Sequence, residues 1–184
     1  MTRRAVVACG ALAFDVWAIA RRRGWELDVV PVPALLHNRP ERIRAAVDAA
    51  CAGRDVAAVA YGECGTGGAL DDLPRLRADS CYDLLARDEV RAALADQPGT
   101  YFLTDFLART FQRTVWRELG LDRWPALRDE YFANYTRVVW LAQRPTAATR
   151  RCAERAAARL GLPLETIAVD DGALERSLES LLRG

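Results

Sequence analysis

A short segment after the third predicted strand combines a thiol, a carboxylate and several glycines. Residues 56–60 form an apolar run that leads directly into Tyr61-Gly62-Glu63-Cys64-Gly65-Thr66-Gly67-Gly68. Glycine packs no side chain and costs conformational entropy on folding, so glycines at a strand end indicate a close backbone approach or positive φ angles. We predict that Glu63 and Cys64 are catalytic residues delivered to this bend.

Residues with soft donor atoms predict a metal site that includes this bend. Zn²⁺, Fe and Co bind cysteine thiolates and imidazole nitrogens. The predicted metal ligands are Cys9, His37, Cys64 and Cys81. His37 is the one histidine of the chain, and Glu63 would serve as a general base or a further ligand. Zn²⁺ is the favoured ion, although the chain has no CxxC pair, which is the most specific zinc pattern.

Two other interpretations of the same segment stay open. Cys64 could be an activated nucleophile, with its pKa lowered by backbone N–H groups near a helix start at Leu70 and with His37 as its base. Alternatively, Gly65, Thr66, Gly67 and Gly68 could bind a phosphate or a cofactor. That loop matches neither GxxxxGK[ST] nor GxGxxG.

Each of the soft ligands also has a purely structural interpretation. Cysteine behaves as a small buried hydrophobe in many cores, which is a role open to Cys9 and Cys81. His37 could cap the helix that follows it. Cys51 and Cys152 lie inside predicted helices, and we interpret both as packing residues.

Composition is that of an ordinary globular protein. The chain has 184 residues, of which 51% are hydrophobic, and a formal net charge of +1. This length suits one domain with a substantial core, so we expect residues 1–184 to form a single domain. Arginine supplies every basic charge, and the arginines are mixed with acids rather than gathered among aromatics. We therefore expect no nucleic-acid partner.

Sequence patterns also bear on the compartment. No apolar run approaches the roughly 18–20 residues of a membrane span, and the N-terminal run lacks the cleavage pattern of a signal peptide. We expect a cytoplasmic protein without membrane association. The five cysteines are an odd number, which disfavours a disulfide framework in that compartment.

Strand-like and helix-like segments alternate along the chain. Strands are predicted at residues 5–9, 27–32, 56–61, 100–103, 138–142 and 164–169. Helices are predicted at residues 11–23, 40–52, 70–76, 81–95, 105–119, 125–135, 146–160 and 172–182. This alternation is typical of a parallel sheet with helices on both faces. The predicted fold is a single three-layer α/β domain with a mostly parallel sheet of five to six strands.

Polar residues follow nearly every predicted strand. They are Cys9, His37-Asn38, Glu63-Cys64, Thr104-Asp105, Gln143-Arg144 and Asp170-Asp171. In an open parallel sheet, ligands bind beyond the carboxyl ends of the strands. The pattern therefore predicts one site at that edge, centred on Cys64. Asp105 also suits the N-cap of the helix that follows it.

The ordered set of motifs resembles family 1638 of the domains of unknown function, over nearly the whole chain. The motifs are Ala8-Cys9-Gly10-Ala11-Leu12, Leu36-His37-Asn38-Arg39-Pro40-Glu41, the segment of residues 61–68, Cys81-Tyr82 and Tyr101-Phe102-Leu103-Thr104-Asp105-Phe106. By position, the family pattern falls on Cys9, His37, Cys64 and Cys81. Similar sequences tend to carry His or Asp directly before Cys81, where this chain has Ser80.

The resemblance implies a role in methyl-group metabolism. Members of the family are often encoded near corrinoid-dependent methyltransferases for methylated amines. A small-molecule ligand and a corrinoid methyltransferase system are therefore the expected partners, and exposed apolar helix faces make a second copy of the chain a further candidate. The chain lacks the DxHxxG signature of base-off corrinoid domains. A metal-free cysteine-dependent transferase or hydrolase and a non-catalytic accessory protein remain alternatives.

Overall fold

The computed structural model describes residues 3–183, which divide into two compact units. The first unit comprises residues up to Leu85 together with those from Asp171 onward, and the second comprises Ala86–Asp170. Each unit contains a three-stranded parallel sheet. The predicted α/β class is confirmed, but the single sheet of five to six strands is wrong. That residues 1–184 form one domain stays a prediction.

Strands and helices alternate among the described residues as the sequence predicts. In chain order they are β1 (Arg4–Cys9), α1 (Ala13–Arg23), β2 (Leu27–Val32), α2 (Ile43–Cys51), β3 (Val56–Ala60), α3 (Cys81–Asp96), β4 (Thr100–Thr104), α4 (Asp105–Phe111), α5 (Leu127–Tyr131), β5 (Arg137–Ala142), α6 (Ala147–Leu160), β6 (Leu164–Ala168) and α7 (Gly172–Arg183). Two short 3-10 helices, Ala34–Asn38 and Pro40–Arg42, precede α2, and a π-helical turn, Gln112–Arg117, follows α4.

The sheet of the first unit has the order β2-β1-β3. In register, Ala8 of β1 lies beside Pro31 of β2 and Ala60 of β3. From the central strand the chain passes first to one neighbour and later to the other, which creates a topological switch point at the carboxyl ends of β1 and β3. Cys9 is the last residue of β1, so it lies at this switch point.

Helices α1 and α7 cover the first sheet. Helix α1 ends at Gly24, whose left-handed backbone (φ 66°) lets its N–H reach the carbonyls of the last turn. Helix α7 packs on β3 and α1 through the buried side chains of Leu174 and Leu178. Arg22 of α1 also pairs with Asp171 at 2.9 Å. Residues that follow the second unit in sequence therefore complete the core of the first.

The segment after β3 is extended rather than helical. A helix was predicted over residues 70–76, which is wrong because the chain there forms turns and one isolated bridge to Val59. Val59 N donates to the Pro74 carbonyl at 2.8 Å, and Leu76 N donates to the Val59 carbonyl at 3.1 Å. Pro74 has no N–H and disfavours helical geometry in the residue before it. The outer edge of β3 is thereby occupied, which ends the first sheet at three strands.

Two arginines brace this extended segment. Arg44 of α2 donates to the Ala69 carbonyl at 2.7 Å and to Asp72 Oδ1 at 2.6 Å. Arg75 is buried and donates to Asp71 Oδ1 at 2.8 Å and to the Leu76 carbonyl at 2.9 Å. The path of the chain between β3 and α3 is therefore set by side-chain to main-chain bonds.

The second unit has the strand order β4-β5-β6. Its central strand β5 is buried at every position, and Trp140 is among its fully buried side chains. Arg137 is also buried, and it donates to Thr100 Oγ1 at 3.0 Å and to the Ala93 carbonyl at 2.8 Å. Among the helices of residues 3–183, none is long and apolar enough to cross a membrane.

Candidate functional site

Three cysteines from three separate segments meet in the first unit. Cys9 ends β1, Cys64 lies in the loop after β3, and Cys81 begins α3. The Cys81 thiol lies close enough to Cys64 and Cys9 for each of them to act on it. We call these three residues the thiol cluster. Three of the four predicted ligands are thus brought together at the switch point, although they are far apart in sequence.

Gly62 permits the close approach that forms the cluster. A Cβ at this position would lie 3.0 Å from the Ser80 Cα and 3.2 Å from Cys64 Sγ. The two chain segments are also bonded through their main chains, from Glu63 N to the Ala78 carbonyl at 2.7 Å and from Cys64 N to the Asp79 carbonyl at 3.0 Å. A side chain here would force the Ser80 main chain or the Cys64 sulfur to shift, so glycine lets the two segments approach this closely.

Cys64 has an unusual backbone conformation. Its φ is +50°, and it is the one non-glycine residue with a positive φ between residues 3 and 183. Such a conformation costs on the order of 1 kcal/mol or more and persists where the surroundings enforce it. Gly65, Gly67 and Gly68 also have positive φ angles of 79°, 62° and 81°. This run of left-handed residues turns the Cys64 side chain back toward the other two thiols.

Hydrogen bonds lower the pKa of two of the three thiols, Cys9 and Cys64. The hydrogen bond from the Cys81 thiol lowers the pKa of Cys64 against the effect of burial, and the Cys81 backbone N–H lowers it further. The same thiol lowers the pKa of Cys9, with help from the backbone N–H groups of Ala11 and Leu12. Sequence reasoning placed the helix start that acts on Cys64 near Leu70. The backbone donor instead belongs to the first residue of α3.

Cys81 is the last of the three thiols to ionise. Its pKa is raised well above the ordinary value because Cys64 and Cys9 both accept from its single S–H when they ionise, and because burial adds to the effect. Three neighbouring thiolates repel one another, so complete ionisation requires a cation. Among residues 3–183, no group of three or more His, Cys, Asp and Glu side chains is arranged to hold a metal ion. Metal binding by the cluster would therefore require proton loss and rotation of its side chains.

Tyr61 brings a hydroxyl group next to the cluster, and the sequence analysis assigned no role to this residue. Its side chain is fully buried, and its Oη has no hydrogen-bond partner among the residues that the structure describes. Charge on Cys9, Cys64 and Cys81 raises the pKa of Tyr61 in addition to the larger effect of burial. Strand register could have indicated this position. Ala60 of β3 is paired with Ala8 of β1, so Tyr61 and Cys9, the next residue in each chain segment, occupy corresponding positions.

Glu63 is engaged by its own loop. Its carboxylate accepts hydrogen bonds from Gly65 N at 2.7 Å, Thr66 Oγ1 at 3.0 Å and Gly68 N at 3.2 Å. These bonds, led by the one from Gly65, lower the pKa of Glu63. An ionised and saturated carboxylate suits a loop brace better than a general acid. Residues 65–68 were predicted to bind a cofactor. Their N–H and hydroxyl donors instead bind the Glu63 carboxylate.

His37 lies outside the thiol cluster. Its side chain is exposed in the first 3-10 helix, and Nδ1 lies 2.6 Å from the Ala34 carbonyl. A carbonyl only accepts, so Nδ1 carries the proton and Nε2 of the neutral ring offers a lone pair. Residue Pro40, just beyond this helix, borders the glycine loop, since a Cβ on Gly65 would lie 3.4 Å from Pro40 Cγ. The histidine is therefore carried by a segment that touches the loop of Cys64.

Ser80 has a structural role at the start of α3. Its Oγ bonds to Asp83 Oδ2 at 3.1 Å, and Asp83 N lies 3.3 Å from Ser80 Oγ. Ser80 N also donates to Asp83 Oδ2 at 3.1 Å. This reciprocal pair is a capping box with aspartate as the second partner. It fixes the first turn of the helix that presents Cys81, and it occupies the Asp83 carboxylate.

Of the remaining strand-end residues, Asp171 belongs to the first unit and pairs with Arg22, and those after β4 and β5 serve the second unit. Asp105 is buried and accepts from Trp140 Nε1 at 2.9 Å and from Arg144 N at 2.9 Å, while Gln143 Oε1 accepts from Asp105 N at 2.8 Å. The prediction of one edge for all strand ends is wrong, because the strands form two sheets. Of the other cysteines, Cys152 packs against the core of the second unit, and burial raises the pKa of Cys51 in α2.

A cleft at the opposite end of the first sheet is separate from the cluster. It has a volume of about 500 Å³ and is lined by residues at the amino ends of β1 and β2, including Arg4, Trp25 and Leu27, and by the last turns of α7. None of its lining residues belongs to the thiol cluster. The chemistry-bearing side chains and this cleft therefore lie at different ends of the same sheet.

Comparison with known proteins identifies the family and no activity. Residues 31–178, which include His37, Cys64 and Cys81, match the family described as "Protein of unknown function (DUF1638)". No curated protein and no solved structure matches the chain significantly. The match spans most of the chain, as the motif resemblance predicts, and the chain belongs to the DUF1638 family.

Proposed function

We propose that this protein binds a soft metal ion, with Zn²⁺ favoured over Fe or Co, through the thiolates of Cys9, Cys64 and Cys81. One observation supports the proposal above the others: three thiols from distant segments converge at a topological switch point. Cysteine thiolates are the preferred ligands of these ions. A cation would also relieve the repulsion that keeps Cys81 protonated.

Local construction around the sulfurs fits this role. Backbone N–H groups of Ala11, Leu12 and Cys81 act on the sulfurs of Cys9 and Cys64, and hydrogen bonds to sulfur are a general feature of metal–thiolate centres. The strained backbone of Cys64 is a further indication of function. Packing alone requires neither the strain nor the oriented donors.

His37 is the candidate for a fourth ligand. Its Nδ1–H bond to the Ala34 carbonyl leaves Nε2 as the atom that could bind a metal, and metal-binding histidines usually donate their other ring N–H to a carbonyl or carboxylate in this way. A closed site with three cysteines and one histidine is typical of structural zinc, whereas three protein ligands leave a position for a small molecule. An open position would allow the metal to activate a thiol or a water molecule.

The link to metabolism rests on the resemblance of the motifs. A metal that holds a small thiol as thiolate would suit methyl-group transfer in corrinoid-dependent one-carbon metabolism. An accessory role in a methyltransferase system is the alternative, and it predicts metal binding without turnover. Steady-state assays of the metal-loaded protein with methylated thiols and amines separate these two roles.

The test is elemental analysis of anaerobically purified, tag-free protein. We expect about one metal ion per chain. Serine in place of Cys9, Cys64 or Cys81 should remove the metal, while Cys51→Ser and Cys152→Ser are matched controls that should retain it. His37→Ala distinguishes a four-ligand site, which would lose the metal, from an open three-cysteine site, which would retain it. Wild-type protein that holds no metal after anaerobic reconstitution would contradict the proposal.

A second candidate function is metal-free thiol chemistry at Cys64. It is favoured by the lowered pKa of Cys64 and by its partial exposure. In this case Cys64 would react with iodoacetamide faster than a model thiol at neutral pH, and faster than Cys51, whose pKa is raised. Mass spectrometry after brief alkylation measures both rates. Equal rates at Cys64 and Cys51 would exclude an activated thiol.

A further inference from the structure

Two cysteines of the thiol cluster lie on chain segments that are packed directly against each other. The loop of Cys64 is joined to the segment before Cys81 by main-chain hydrogen bonds, one of which runs from Cys64 N to the Asp79 carbonyl at 3.0 Å. Cys81 follows that carbonyl by two residues and begins α3. The two segments are therefore fixed side by side at the point where each one carries a cysteine.

The surroundings of Gly62 show how closely the Cys64 sulfur approaches that segment. A Cβ on Gly62 would lie 3.2 Å from Cys64 Sγ and 3.0 Å from the carbonyl carbon of Ser80, which is the atom bonded to Cys81 N. The sulfur therefore packs against the peptide that links Ser80 to Cys81, and the two cysteines are near enough to act on each other. Cysteines can form a disulfide when their Cα atoms lie within about 7 Å.

Access to solvent separates this pair from the third thiol of the cluster. Cys64 and Cys81 are both partly exposed, whereas only 3% of the surface of Cys9 is exposed. A dissolved oxidant can therefore reach either member of the pair but not Cys9. Cys51 and Cys152 are also partly exposed, and each lies in a different helix, α2 or α6. They are matched cysteines for comparison.

We propose that Cys64 and Cys81 form a reversible dithiol–disulfide pair that exchanges with low-molecular-weight disulfides. One thiol of the pair forms a bond to a sulfur of the small disulfide, R–S–S–R, and the first R–SH is released. The other thiol then attacks the mixed disulfide, which releases the second R–SH and leaves a bond between the two cysteines. The pair loses two electrons and two protons, and the small disulfide gains both.

This inference deepens the thiol chemistry considered above for Cys64, because it adds a partner thiol and a substrate class, and it requires no metal. Strained or exposed disulfides are the labile and catalytic ones. Both cysteines are partly exposed, and Cys64 has the positive φ of +50°. We therefore expect a bond that forms with oxidised glutathione and is broken again by reduced glutathione.

The experiment maps the thiols of the full chain after reduction and removal of metal by a chelator. Oxidised glutathione is added at neutral pH, free thiols are blocked with N-ethylmaleimide, and the digested protein is analysed by mass spectrometry. The wild type should lose two of its five free thiols and yield two peptides joined through Cys64 and Cys81, which reduced glutathione separates. The absence of joined peptides, or a bond that includes Cys9, would overturn the inference.

Single substitutions test the second step of the exchange. In Cys81→Ser the reaction should stop at a mixed disulfide between glutathione and Cys64, and in Cys64→Ser it should stop at one on Cys81. Cys9→Ser and Cys152→Ser should both retain the joined peptides. If glutathione accumulates on Cys152 of the wild type as fast as the joined peptides form, the pair has no special reactivity and the inference is wrong.

Failure of the proposed metal site gives a different result. The exchange is measured in chelator-treated protein, so a wild type that binds no Zn²⁺ contradicts the proposed function without affecting the joined peptides. A wild type that binds Zn²⁺ but forms no bond between Cys64 and Cys81 contradicts only the exchange. Equal alkylation of Cys64 and Cys51 excludes an activated thiol, and the joined peptides still decide whether the two cysteines form a pair.

Discussion

The two units place polar residues differently at the carboxyl ends of the same kind of sheet. In the first unit the order β2-β1-β3 creates a switch point, and the strands there end in Cys9 and the loop of Cys64. In the second unit the order β4-β5-β6 has no switch point, and the polar side chain of Asp105 is bonded to its own neighbours. Polar residues at strand ends therefore indicate chemistry only where the topology leaves a crevice and the side chains are not already satisfied.

The largest effect on stability is expected from Asp105 in the second unit. Asp105→Ala leaves the donors of Trp140 and Arg144 without their acceptor, which should lower the free energy of unfolding by about 3 kcal/mol. Urea denaturation measures this loss. Metal content should not change, because the residue belongs to the second unit. The exposed Asp129→Ala in the same unit is the control, and an equal loss there would contradict the comparison.

A somewhat smaller loss, together with loss of the site, is expected at Gly62. Gly62→Ala places a methyl group 3.0 Å from the Ser80 main chain, and the resulting shift should cost about 2 kcal/mol and separate Cys64 from Cys81. Gly67→Ala is the matched control. Its positive φ costs about 1 kcal/mol, but its Cβ meets no atom within 4 Å, so metal should be retained. Retention of metal by Gly62→Ala would show that the close approach is dispensable.

One helix N-cap in each unit can be compared, and removing either cap should lower the free energy of unfolding by about 1 kcal/mol. Ser80 caps α3 in front of Cys81, and Thr146 caps α6 in the second unit by accepting from Thr149 N. Ser80→Ala and Thr146→Ala should therefore destabilise the protein similarly. Only Ser80→Ala should also weaken Zn²⁺ binding, as measured by chelator competition. Equal Zn²⁺ affinity in the two variants would mean that the cap does not help to position Cys81.

The smallest effect is expected at the exposed brace between α2 and the segment after β3. The hydrogen bond from Arg44 lowers the pKa of Asp72, so the folded state favours the ionised carboxylate. This contribution to stability is present above the unfolded pKa, near 3.9, and is lost as pH falls through the lower folded pKa. Asp72→Asn should therefore be slightly less stable than wild type at pH 7 and equal to it in strong acid. A difference that persists in acid would exclude the ion pair as its cause.

Local patterns predicted the elements better than their assembly. All six strands lie within about one residue of the predicted runs, because apolar runs bounded by turn residues indicate buried parallel strands. The division into two sheets depends on the chain after β3 pairing with Val59, which is a contact between positions that no local pattern links. The helix predicted over residues 70–76 failed for the same reason, since Pro74 and the free edge of β3 outweighed the helix-like spacing.

The candidate site, like the fold, was predicted in its local parts and not in its three-dimensional contacts. Cys9 and Cys64 were located by their positions after strands, and Cys81 by its place in the motif, and the structure brings all three together. The engagement of Glu63 by Gly65 and Gly68 depends on positive φ angles that are not visible in the residue types alone. The burial of the Tyr61 hydroxyl depends on the three-dimensional fold, which is why the sequence alone did not single out this residue.

The return of the chain to the first unit in α7 has a consequence for biosynthesis. Residues 86–170 are translated between the cluster-bearing part of this unit and the helix that packs on β3 and α1. At typical elongation rates this interval lasts roughly 4 to 17 seconds. By the end of that interval Cys9, Cys64 and Cys81 have all been synthesised, while the core beside β3 still lacks Leu174 and Leu178. All three thiols are thus present in the nascent chain before the helix that completes the core of their unit has been made.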